Sequence, residues 1–209
     1  MKLALLGLTG RTGGEVARLA LSRGHEVRAL ARNPAAVPHR PSPSLVIVPG
    51  DARDPAAVDA LVAGCDAVVI ALGPARRSFV VAQASTANVI RAMRAHGLKT
   101  LVVLSGAAMR MPGDRPSLRH RLLIALGRVL AAPIVRDKEA EVALLRATDD
   151  LDWVLVRPPR LTRARGRGDY RASATELAAT HIARADLARF MLDQAETPTF
   201  ARQAPFVSA

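Results

Sequence analysis

A chain of 209 residues, half of them apolar, suits one large domain with a full-sized core. The formal charge of +12 rests almost wholly on arginine, and one Trp and one Tyr give none of the basic-aromatic interleaving that a nucleic-acid partner would call for. No apolar run reaches the roughly 18 to 20 residues that cross a bilayer. The lone Cys65 can form no internal disulfide, which points to a reducing, cytoplasmic setting.

The first strand is expected at 2–6, running into the turn Gly7-Leu8-Thr9-Gly10-Arg11-Thr12-Gly13 and a helix over 11–23. Between a strand and a helix, this glycine spacing reads as a cradle for a pyrophosphate. Gly7 makes the sharp exit, Gly10 lets the phosphates approach, and Gly13 lets helix and strand pack. The helix end adds free N–H groups and the positive end of the dipole. Arg23-Gly24 closes the helix before a strand at 26–31. After that strand comes Ala31-Arg32-Asn33-Pro34, with no carboxylate to hold a ribose 2′-hydroxyl. Arg32, with Arg11 approaching from the turn, suits a 2′-phosphate instead, so NADP(H) is the expected cofactor.

Residues 33–44, with four prolines, read as a surface loop before a strand at 45–48. Asp51 then sits where it can reach an adenine edge, or else cap a turn or pair with Arg53. A helix at 55–63 starts on Asp54-Pro55. The strand at 67–72 ends in Leu72-Gly73, where glycine leaves room beside the first strand. A helix at 82–96 carries Asn88, read as a packing or capping group. The strand at 100–104 ends at Ser105. Residues 117–131 read as a helix that packs on the domain, or as a lid or dimer face through which copies associate. Met109 and Met111 precede it and could line an apolar pocket. A helix at 137–147, a strand at 153–157 and a helix at 185–194 complete the pattern. The whole is a single Rossmann-like α/β domain over 1–209. It has a doubly wound parallel sheet in the order 3-2-1-4-5-6, helices on both faces, and pocket-shaping excursions at about 106–136 and 158–182. The five His residues show no metal-ligand spacing, so no metal is expected.

Taken together, Gly7 to Gly13, Ala29 to Pro34, Pro49-Gly50-Asp51, Val69 to Gly73, Leu101 to Gly106, Lys138, Asp152 to Thr162 and Ile182 to Leu192 resemble one family. It is the atypical short-chain dehydrogenase/reductases with NAD(P)H-binding, NmrA-like domains, and within them the biliverdin-IXβ reductase/flavin reductase type. The resemblance implies hydride transfer from NADPH to a flavin-, quinone- or tetrapyrrole-like small molecule. The alternative within the same family is a non-catalytic NADP(H) sensor that regulates a partner. Ser105 and Lys138 match the family's serine and lysine. Ile134 stands where the Tyr-x-x-x-Lys motif has tyrosine, which argues against alcohol oxidation. The resemblance implies positioning roles for Ser105 and Lys138, although Lys138 could instead pair with Glu141 or Glu139 and Ser105 could serve a strand end. It also places Pro159 and Arg160 in the wall of the acceptor pocket, where the flavin-reductase subgroup carries His in place of Arg160.

Overall fold

The computed structural model describes residues 1–37, 42–73, 81–116, 121 and 132–209. Six parallel strands form the central sheet: β1 Lys2–Leu6, β2 Glu26–Ala31, β3 Leu45–Pro49, β4 Ala67–Ile70, β5 Thr100–Leu104 and β6 Asp152–Val156. Their order is β3-β2-β1-β4-β5-β6, as expected from the sequence. Between them run α1 Arg11–Ser22, α2 Pro55–Val62, α3 Ala82–His96 and α4 Ala132–Arg146, with α5 Arg184–Glu196 after the sheet. The helix expected at 117–131, and any dimer face on it, lies outside the described residues except for position 121.

Both faces of the sheet are covered, which explains why its strands are continuous apolar runs. The period of two sorts each strand between the faces. Leu3, Leu5, Val69, Val102 and Val154 pack with α1 and α5. Ala4, Leu6, Val68, Leu101, Val103 and Leu155 pack with α2, α3 and α4. Parallel register, such as Leu5 opposite Ala29 and Val69, brings every carboxyl end to one edge.

Two expectations need correcting. The helix placed at 137–147 already runs at Ala132 among the described residues. Lys138 therefore sits inside the helix rather than opening it. The excursion at 158–182 is also more ordered than its Arg- and Gly-rich composition implies. It carries β7 Arg160–Thr162 and β8 Arg171–Ser173, and β9 His181–Ala183 follows directly. β7 pairs in parallel with β9, and β8 pairs antiparallel with β10 Phe206–Ser208.

Buried charges fasten these outer segments. Arg157 is fully buried and its side chain donates to both oxygens of Asp114, at 2.7 and 2.8 Å. It also donates to the carbonyls of Met109, Ala174 and Ala204, and its guanidinium carbon lies 3.7 Å from the Phe206 ring centroid. One side chain thus ties the loop after β5 to β6, to the residues after β8 and to the last strand.

Candidate functional site

The turn after β1 is built for close approach. Gly7 has φ +103°, and a Cβ there would stand 2.5 Å from the Ala71 carbonyl oxygen. A Cβ on Gly13 would collide with the Gly7 carbonyl. These two glycines let α1 seat against β1 and β4. Gly10 and Gly73 are less confined: a Cβ on Gly10 would press on Gly7 O at 3.1 Å, a tight contact that the backbone would have to yield to, and one on Gly73 meets nothing within 4 Å. Beside them lies open space.

That space is a cleft of about 280 Å³ over the carboxyl ends of β1, β2, β3 and β4, bordered by Gly7, Thr9, Gly10, Arg32, Asp51, Leu72 and Gly73. Gly10 caps α1 with no side-chain hydrogen bond, and the helix makes its first backbone bond only from Gly14 N to Gly10 O. The N–H groups of Arg11, Thr12 and Gly13 therefore face outward, ready for an anion. Thr12 itself is buried and Thr9 is exposed on the rim.

At the far end of the cleft Arg32 is exposed and has no ion-pair partner among the described residues. Asp51 accepts three hydrogen bonds from Arg53: from the backbone N and Nε at 2.9 Å and from a terminal nitrogen at 2.8 Å. Those bonds hold its carboxyl down at about 2, so it stays ionised. Asp51 thus reaches the cleft as a charge pair, the second of the roles its position allowed. Arg53 is the group the sequence reading left out of the site; it lines the cleft with Arg32. The i,i+2 spacing of Asp51 and Arg53 was the signal for it. Arg11 was expected to work beside Arg32. It instead borders a different cavity, with Arg163 and Arg184, because its position at the start of α1 turns it toward α5.

At the other end the cleft continues past Gly73 to a narrow recess bordered by Leu72, Ile134, Asp137 and Lys138. Lys138 donates to the Leu104 carbonyl at 3.1 Å and to Glu141 Oε2 at 2.7 Å. Glu141 is fully buried and its other oxygen accepts from Thr86 Oγ1 at 2.8 Å. This is the pairing with Glu141 that the spacing allowed, but inside the protein rather than in solvent. The carbonyl that Lys138 holds belongs to the residue before Ser105. Ser105 Oγ is buried and has no hydrogen-bond partner among the described residues, which is costly unless a ligand supplies one. Asn88 is a tether: its Nδ2 donates to the Ala52 carbonyl at 3.1 Å.

The remaining expected pocket residues are spread out. Met109 is only 6% exposed and packs in the core, drawn in by the Arg157 bond to its carbonyl, rather than lining an open pocket. Pro159 is half-buried and Arg160 is exposed on β7. Tyr170 is committed elsewhere. Its hydroxyl donates to Asp193 on α5 at 3.1 Å, and burial with that carboxylate pushes it up to about 12.

Residues 7–198 match the profile of a family described as NAD(P)H-binding. The chain belongs to that family. Solved structures share the whole fold. A Burkholderia pseudomallei protein described as exported is 26% identical over all of both chains, with a TM-score of 0.79. ChuY, an anaerobilin reductase from Escherichia coli O157:H7, is 20% identical, with all of this chain and 97% of that one covered and a TM-score of 0.78. A Veillonella parvula short-chain dehydrogenase/reductase solved in complex with NADP is 14% identical, covers all of this chain and 94% of that one, and has a TM-score of 0.80. The cleft fits the family's cofactor on its own features: an open glycine turn, bare helix N–H groups and a buried hydroxyl lacking a partner. Among the described residues, no helix is long and apolar enough to cross a membrane.

Proposed function

We propose that the protein is an NADPH-dependent reductase that delivers hydride to a flavin-, quinone- or tetrapyrrole-like acceptor. The observation that carries this reading is the recess beside Gly73, where Lys138 lies with Ile134 and holds the carbonyl of Leu104, the residue before Ser105. An enzyme that oxidises alcohols or reduces ketones needs a phenol or equivalent acid–base group at that point. Ile134 supplies none, and Tyr170 is bonded to Asp193.

When bound, the reduced nicotinamide supplies a hydride. The N–H groups of Arg11, Thr12 and Gly13 would hold its pyrophosphate, and Arg32 with Arg53 the 2′-phosphate. Ser105 Oγ would find its missing partner at the nicotinamide end. Lys138 stiffens the end of β5 through the Leu104 carbonyl, and Glu141 fixes that ammonium. Catalysis then rests on orientation, with the acceptor drawing its proton from water. A reducing cytoplasm, where NADPH is maintained, is the setting in which this chemistry is useful. That the reductase ChuY shares the fold supports a conjugated acceptor.

The test is steady-state NADPH oxidation with FMN, a quinone and biliverdin, set against NADP⁺ reduction by a panel of secondary alcohols. Turnover with at least one conjugated acceptor and none with alcohols is expected; robust alcohol oxidation overturns the reading. One observation favours the second reading, a non-catalytic NADP(H) sensor: the Lys138 charge is already matched by buried Glu141. Tight NADPH binding without turnover on any acceptor selects it.

A further inference from the structure

On the other side of the glycine turn lies a second cavity, of about 300 Å³, between the starts of α1 and α5. Its walls bring together Arg11, Arg163 and Arg184 with Glu15 and Thr162. Three guanidinium groups share this space, and the only carboxylate among the described residues on its walls is already taken: Glu15 Oε2 accepts from Arg18 Nε at 3.1 Å. Arg11 and Arg163 have no acceptor among the described residues. Burial, then repulsion from Arg11 and Arg163, pushes the Arg184 guanidinium below its ordinary value.

The cluster is built, not a chance meeting of long side chains. Arg184 donates to the Thr162 carbonyl at 3.0 Å, which fixes one edge of its fork and leaves its other N–H groups for the cavity. Arg163 follows β7 directly, and β7 is held by its ladder to β9. The loop beyond is pinned by Asp186, which accepts from the backbone N of Arg167 at 3.1 Å and of Gly168 at 2.9 Å. Asp186 is thereby spent on the loop and does not neutralise the arginines. Holding like charges together in a fixed frame costs free energy that an anion would return.

We propose that this cavity is an oxyanion site that receives a phosphate or carboxylate tail of the acceptor. The proposal rests on the reductase reading and narrows it to anionic acceptors. Two features of the chain support the placement. Arg11 is the residue after Gly10, so the cavity begins one residue from the cofactor cleft. Arg163 ends the segment that starts at Pro159 and Arg160, where the acceptor wall is expected. Planar guanidinium forks suit phosphate and carboxylate oxygens alike.

The experiment has a binding arm and a kinetic arm, both on the full chain. Calorimetric titration with inorganic phosphate is run on the protein saturated with NADP⁺, so that the cofactor's own phosphate sites are filled. Saturable binding is expected, weakened about tenfold or more by Arg163→Ala and largely restored by Arg163→Lys. The kinetic arm compares FMN with riboflavin, which share a ring and differ by a phosphate. The ratio of their KM values should favour FMN by about tenfold and fall toward one in Arg163→Ala. Equal phosphate affinity in wild type and Arg163→Ala overturns the site. Phosphate binding that depends on Arg163 in the free protein but vanishes with NADP⁺ assigns the cluster to the cofactor's own phosphates and overturns the acceptor tail. Phosphate binding that survives NADP⁺ in a protein with no turnover on any acceptor leaves the site standing and sinks the reductase reading instead. Melting curves of both variants check the fold, since Arg163 is exposed.

Discussion

Over β1 to β4, polar groups at the strand ends face the cleft without protein partners: the N–H groups of Arg11, Thr12 and Gly13, and the guanidinium of Arg32. Beyond β5 three charged groups are sunk in the protein and matched. Lys138 meets Glu141, Arg157 meets Asp114, and Asp186 holds two backbone N–H groups of the loop after β7. The first region is a surface prepared for a ligand. The second is a set of struts that gives shape to segments with little regular structure. Ser105, buried and without a partner among the described residues, lies at the seam between them. Whether a polar group recognises or supports can thus be read from whether its partners are already inside the chain.

The sharpest way to break the comparison is to cut a strut. Asp114→Ala leaves Arg157 buried without its counter-ion, a loss of about 3–5 kcal/mol, so thermal melting should fall by about 10 °C. NADPH affinity of the folded protein should not move. A fall of under about 2 °C would mean that the loop after β5 is held by something else. Filling the recognition surface should do the reverse. Gly10→Val projects an isopropyl group into the cleft and should weaken NADPH binding more than about a hundredfold, with a smaller fall in melting than Asp114→Ala, since its Cβ presses on Gly7 O at 3.1 Å. Unchanged affinity would remove the turn from the cofactor site.

Lys138 tests the seam. Lys138→Met should lower kcat/KM about tenfold to a hundredfold, the scale of one charged hydrogen bond. It also strands buried Glu141, so stability should drop. The double variant Lys138→Met with Glu141→Gln should recover melting but not turnover; recovery of both would make Lys138 a strut alone. A similar or smaller effect is expected of Arg32→Ala, which should erase most of a preference for NADPH over NADH of about tenfold to a hundredfold. Arg53→Ala should erase less, since Asp51 shares that guanidinium.

The smallest expected effect concerns Tyr170. As the chain's one tyrosine, it can be titrated by its ultraviolet phenolate band. Its folded value is raised to about 12 from an ordinary 10.0. The sign follows: its contribution to stability is complete below pH 10 and is lost as pH rises through about 12. A phenolate appearing near pH 10 in the folded chain would free Tyr170 from Asp193 and return it as a candidate acid.

Much of this contrast was legible in the sequence on one side only. The six sheet strands announce themselves as apolar runs, three of them (β2, β4 and β5) after helix-ending glycines, and Gly7 to Gly13 carries its own local context. The struts were not legible. Arg157 and Asp114 are 43 residues apart, and nothing local marks either as a buried partner. Strands β7 to β10 have three residues each, too few for alternation to show. Arg163 and Arg184 were hidden by composition, because a chain rich in arginine gives no single one away.

One carboxylate links two helices in a way that bears on how the chain acquires its structure. Asp137, on α4, accepts from the N–H groups of Val81, Ala82 and Gln83, from 2.8 to 3.1 Å, and so caps α3 from 54 to 56 residues downstream. α3 has no side-chain cap of its own. A nascent chain that has emerged only as far as β5 would therefore carry α3 with a bare first turn, free to fray. The recess beside Gly73, which Asp137 also borders, could close only after synthesis had passed α4. Cofactor capture would then come late in the birth of the molecule, although the glycine turn that begins the cleft is among the first residues made.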